Sequence, residues 1–132
     1  MQRHPRCFTL KEAHELLPVI EKVLKRLDIK VKLSEKLHDH LLIEDLLHQA
    51  TGSSNSALVQ EDQQRLDQSV ESLAEEIKEI NSLGCKVCDL GKGWIDFPAE
   101  RAGNSIFYVW KRGDTQIRFY RQVEDKGTLF QL

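Results

Sequence analysis

The chain has 132 residues, with 19 Lys and Arg against 21 Asp and Glu, a net charge of −2 with neutral histidines, and 40% hydrophobic and 30% charged residues. That balance is typical of one globular domain and excludes collagen-like, mucin-like and wholly disordered chains. No apolar run approaches the roughly 18 residues of a membrane helix, no apolar segment follows residues 1–6 as a signal peptide requires, and three cysteines make no disulfide framework. The expectation is a soluble, cytoplasmic single domain over residues 1–132 that meets no membrane.

In chain order, Thr9 is a good N-cap and Glu12, three residues later, its capping-box partner. Leu10, Ala13, Leu17, Ile20, Leu24, Leu27 and Val31 then recur at helical spacing, and Leu33 to Leu47 continue the stripe to about Ala50. Pro18 inside the pattern predicts a kink or a short first segment. Thr51-Gly52-Ser53-Ser54-Asn55 reads as a loop. A second helix follows over residues 56–83. Its Val59, Leu66, Leu73 and Ile80 are spaced by seven, with Val70 and Ile77 beside them, as in a coiled-coil seam, and Gly84 fits as its C-terminal stop.

A short loop makes the two helices an antiparallel pair over residues 9–83. Charge supports the pairing: residues 1–36 carry a balance of +4, residues 37–83 of −8 and residues 84–132 of +2. Folding about residue 53 brings position i near 106 − i, so Lys30 meets Glu75 to Glu79 and Lys36 the region of Glu71. The opposite charges then satisfy one another and need no anionic partner.

After Gly84 the period shortens. Strands are expected at 85–90, 94–97, 105–110 and 116–123, separated by Gly91-Lys92-Gly93, Ala102-Gly103-Asn104 and Gly113-Asp114. A two-residue turn at Gly113-Asp114 opposes Trp110 to Ile117, Tyr108 to Phe119 and Ile106 to Arg121. One sheet face then carries Ile106, Tyr108, Trp110, Ile117 and Phe119, and the other Phe107, Val109, Lys111, Arg118 and Tyr120. The fold class is α+β: a long antiparallel helical hairpin packed on a small antiparallel sheet of three or four strands.

Gly93-Trp94-Ile95-Asp96-Phe97-Pro98-Ala99 and Tyr108-Val109-Trp110-Lys111-Arg112-Gly113-Asp114, with Phe8-Thr9-Leu10-Lys11-Glu12-Ala13 and Leu16-Leu17-Pro18, make the chain resemble the bacterial domain-of-unknown-function family numbered twenty-two-oh-three. The resemblance spans nearly the whole chain and implies no activity. Where the family pattern commonly has Cys before the tryptophan, this chain has Val109; where it has His after the last strand's aromatic pair, this chain has Arg121; and Gly127 is followed by Thr128 instead of Arg. A chemistry using that thiol or imidazole is not expected in this member.

Asp96, between Ile95 and Phe97-Pro98, is a candidate general base if its apolar neighbours raise its pKa; the structural alternative is a carboxylate accepting backbone amides. Cys85-Lys86-Val87-Cys88 is a C-x-x-C, but in a strand positions three apart face opposite ways, so one core and one surface cysteine are expected. His38, His40, Glu44 and His48 crowd the end of the first helix, and the hairpin register adds Asp62. Glu44, His48 and Asp62 form a candidate site for a divalent metal, and Glu35-x-x-His38 has the spacing of di-iron bundle ligands; the alternative is a solvated polar face. Phe107, Arg118 and Tyr120, with Lys111, form a candidate partner surface, for an unidentified protein or, less fittingly at a pI of about 6.2, a nucleic acid.

No cofactor beyond that metal is implied, and whether the chain is an enzyme stays open. Its leading reading is a non-enzymatic interaction or scaffold module that self-associates as a homodimer through its hairpin. The alternatives are a metal-binding protein or small metallo-hydrolase, and a weak nucleic-acid binder.

Overall fold

The computed structural model describes residues 7–52 and 56–132, leaving aside the side chains of residues 56–58. Helix α1 spans Leu10–Thr51 and α2 Ser56–Ser82; strands β1 (Lys86–Asp89), β2 (Trp94–Arg101), β3 (Asn104–Lys111), β4 (Phe119–Gln122) and β5 (Phe130–Gln131) follow. The strands form one antiparallel sheet in the order β1-β2-β3-β4-β5. The fold is α+β, a helical hairpin with a sheet. The sheet has five strands where three or four were expected, because β5 is two residues long and too short to show a period.

Local chemistry accounts for the helix ends. The Thr9 N–H donates to Glu12 Oε1 at 3.0 Å and the Glu12 N–H to Thr9 Oγ1 at 3.1 Å, which closes the capping box. Helix α2 ends with Gly84 at φ 100°, its N–H donating to the Asn81 carbonyl at 3.0 Å. Gly52 adopts φ 73° and bonds back to the His48 carbonyl; residues 53–55 of the expected loop lie outside the described residues. Pro18 does not divide α1, which runs through it. A lost backbone bond and ring clash cost about 3 kcal/mol, but Leu17, Ile20, Val23 and Leu24 beside it are all buried, each worth about 1.5–3 kcal/mol.

The chain divides into two compact units. The first comprises Ile77–Leu132 with the described residues up to Leu24. Its core gathers Phe8, Ala13, Ile20 and Val23 with Ile80, Ile95, Phe97, Ile106, Trp110 and Ile117. Phe8 and Phe97 meet edge to face at 5.4 Å between ring centroids.

The β3–β4 register corrects the expectation by one residue. Phe107 pairs with Arg121, Tyr108 with Tyr120 and Val109 with Phe119. The chain does turn at Arg112-Gly113, where the Asp114 N–H donates to the Lys111 carbonyl at 3.0 Å, but no two-residue hairpin forms. The Trp110 indole captures the Asp114 carbonyl at 2.9 Å, and His14 Nε2 captures the Ile117 N–H at 2.9 Å, so pairing resumes only at Phe119. Because side chains alternate, one residue of slip exchanges every β4 side chain between faces.

The second unit is Lys25–Glu76, the antiparallel pairing of α1 with α2. Lys30 Nζ lies 2.7 Å from Glu76 Oε1, as the charge pattern required, and Ser34 meets Ser69 hydroxyl to hydroxyl. Among the described residues of this unit, the buried positions of α2 are Asp62, Ser69 and Glu76, spaced by seven, whereas Leu66 and Leu73 are only half-buried. The innermost row of the seam is therefore polar.

Candidate functional site

On β2, Asp96 is fully buried and held by two side-chain donors. Arg121 Nη2 donates to its Oδ2 at 2.7 Å and the Trp94 indole to its Oδ1 at 2.6 Å. Arg121 reaches it from β4 across β3, its guanidinium 4.5 Å from the centroid of the Phe107 ring. Its Nη1 donates to the carbonyls of Gln122 and Val123, both at 3.1 Å, while Nε has no partner among the described residues. Burial of this pair without exchange of donors would cost several kcal/mol per ion, so Asp96, Arg121 and Trp94 stand or fall together. Each carboxylate oxygen accepts one of these two bonds.

Sequence reasoning missed Arg121 as a partner because the expected register set it opposite Ile106 instead of Phe107. Val109, directly opposite Asp96 in the ladder, and Arg121 are two of the three positions noted above as departures from the resembled pattern. Both border this carboxylate.

Cys85 and Cys88 are unsuited to thiolate chemistry. Cys85 is buried, its thiol donates to the Ile80 carbonyl at 3.3 Å, and burial pushes its pKa to about 11. Cys88 occupies the irregularity between Val87 and Asp89 in β1. Its pKa is raised by burial and then by the Asp96 carboxylate. A nucleophilic or metal-binding cysteine needs the opposite, a lowered pKa.

At the expected metal site, His40 is the histidine that approaches Asp62, with Nε2 3.1 Å from Oδ2 and 3.9 Å from Glu44 Oε1. His48 is exposed. Among the described residues no group of three His, Cys, Asp or Glu side chains is arranged to hold a metal ion. His38 lies 3.8 Å from its neighbour Asp39, and Glu35 borders the same groove as His38.

The proposed partner residues are distributed over both sheet faces. Phe107 is half-buried beneath Arg121, on the Asp96 face. Tyr120 is on the other face, stacked on Phe130 at 5.4 Å with Arg101 4.7 Å from its ring. Arg118 is exposed just before β4, its carbonyl accepting the Leu132 N–H at 2.8 Å. Lys111 Nζ lies 5.2 Å from the Trp94 ring.

His14 drew no notice in the sequence, although it falls four residues after Leu10 on the packed side of α1. Because Nε2 accepts the Ile117 N–H, its ring proton belongs on Nδ1. It borders a cleft of about 530 Å³ with Glu21, Trp110 and Asp114, where its role is to hold the β3–β4 connection.

A family model described as an uncharacterized conserved protein, DUF2203, matches residues 6–128. The chain belongs to this family. No curated protein and no solved structure matches it. In this DUF2203 member the Gly-x-x-Asp-Phe-Pro stretch has a structural explanation at each residue. Gly93 adopts φ 65°, and a Cβ there would lie 2.4 Å from Arg112 Cβ, so only glycine fits. Asp96 receives Arg121, and Phe97 packs on Phe8. Pro98 sits beyond the last β1 partner of β2, where no ladder donor is needed, and its carbonyl accepts the Phe8 N–H at 2.7 Å.

In the second unit, Glu76 receives Arg26 Nε at 3.1 Å and Lys30 Nζ at 2.7 Å. The Arg26 bond, then the Lys30 bond, hold its pKa at about 2. The same unit displays Ile29, Leu33, Leu42, Ile43, Leu46, Leu47 and Val70, each more than half exposed.

Proposed function

We propose that this DUF2203 protein is a non-enzymatic interaction or scaffold module that self-associates through residues 25–76. The observation that supports it is the inverted polarity of that unit: Asp62, Ser69 and Glu76 are buried while seven large apolar side chains are more than half exposed. Scattered exposed leucines are ordinary, but six of these seven stand on α1, and apolar surface gathered on one element marks a surface that becomes covered. Half-exposed Leu or Ile leaves roughly 1 kcal/mol to be gained on burial. A few such residues on each of two copies supply on the order of 5–10 kcal/mol, within the range of about 4–15 kcal/mol that association costs. Reversible self-association is therefore the natural outcome, and the polar row gives the hairpin its register, as single polar residues do in coiled coils.

Sedimentation velocity over a wide concentration range tests this. The expected result is a weight-average mass that rises with concentration; a monomer at every concentration overturns the reading.

A further inference from the structure

The two broad sides of the second unit differ in charge. On α1, Ile29, Leu33, Ile43 and Leu47 fall within about 80° of arc on an ideal helix, and Lys25, Lys32 and Lys36 stand among or beside them; all seven are exposed. No carboxylate between positions 25 and 47 lies within that arc, and the half-buried Glu44 stands about 20° beyond its Leu33 edge. On the opposite side, α1 and α2 enclose a groove of about 680 Å³. Leu66 and Val70 form its apolar floor, and Glu35, Asp39, Asp67 and Glu71 supply its acidic rim. In angular terms the groove residues of α1 centre roughly 160° from the Ile29–Leu33 ridge.

Given the self-association reading above, we propose that a second copy inserts its basic Ile29–Leu33 ridge into the acidic groove at Leu66 and Val70. Pairing ridge with ridge sets lysines against lysines, and pairing groove with groove sets eight carboxylates together; like-charge juxtaposition of this kind excludes partners. Ridge to groove puts opposite charges around apolar contacts. Because the two surfaces are on opposite sides of one unit, the contact is heterologous, and each copy retains a free ridge or a free groove for the next. Assembly then continues into a ring or an open chain instead of stopping at a two-fold dimer.

Mixing two full-length variants decides the matter. Ile29→Asp with Leu33→Asp disables the ridge, and Val70→Lys with Glu71→Lys disables the groove; all four positions are exposed, so circular dichroism should show an unchanged fold. At concentrations where the wild type forms a series of species, each variant alone is expected to sediment as a monomer. The mixture is expected to form a 1:1 dimer that grows no further, weakened several-fold by added salt. A groove variant that dimerises alone points to ridge-to-ridge pairing and overturns the proposal while leaving self-association intact, as does a mixture that stays monomeric. A wild type that never associates overturns both.

Discussion

The two units of this chain solve opposite problems with the same helix. In the first, α1 has the sheet beside it, and its apolar side chains disappear into a core with Phe97, Ile106 and Trp110; a buried ion pair, Asp96–Arg121, carries its own hydrogen bonds. In the second, α1 has only α2. A single helix covers one narrow stripe of its neighbour, and here the innermost positions of that stripe on α2 are Asp62, Ser69 and Glu76. The leucines of α1 continue at helical spacing, but nothing within the unit is wide enough to cover them. Apolar content alone therefore does not mark a core; the number of elements available to cover each face decides.

The largest contrast should come from truncating one apolar residue in each unit. Phe97→Ala is expected to cost about 3–5 kcal/mol, whereas Leu33→Ala should change monomer stability by no more than about 0.5 kcal/mol. Urea denaturation at a concentration where the protein is monomeric reads both, and equal losses would erase the distinction.

Arg121→Leu should cost about 3–5 kcal/mol because it strands a buried Asp96 carboxylate. The double variant Asp96→Leu, Arg121→Met should recover most of that loss. If instead the double variant is as unstable as the single one, the pair contributes through packing and not through charge.

In the second unit, Glu76→Gln is expected to cost about 2 kcal/mol by weakening two charge-assisted bonds. Since the folded pKa of Glu76 is held near 2, below its unfolded value of about 4.3, its contribution is fully present above the unfolded value. It is lost as pH falls towards 2. Denaturation midpoints measured from pH 5 to pH 2 should therefore fall less steeply in Glu76→Gln than in the wild type; parallel slopes would remove Glu76 from the acid response. A smaller loss concerns only the start of α1: Thr9→Ala should cost about 1 kcal/mol, seen as a modest drop in Tm, and no change would mean that solvent replaces the cap.

Much of the fold could be read along the chain. The Thr9–Glu12 capping box, the stop at Gly84 and the charge blocks that bring Lys30 to Glu76 are local or pairwise signals, and each has its counterpart in the structure. The glycine turn at Ala102-Gly103 is local too, with φ of 51° and 80° at its two residues. The candidate site was legible only as single residues. Asp96 stood out, but its partner Arg121 did not, since recognising the pair required the β3–β4 register. That register is set by the Trp110 indole and by His14, which lies 103 residues before its partner Ile117.

Composition, period and capping chemistry thus determined which segments are helix and strand and which helices attract, because those interactions act over a few residues or between whole charge blocks. Which side chains are buried was decided by the tertiary structure. A one-residue slip moves Arg121 onto the Asp96 face, and the seven-residue row at Asp62, Ser69 and Glu76 turns inward while the leucines of α1 turn out. Burial is a property of which elements lie against a face, and that arrangement is set by contacts between residues far apart in the chain.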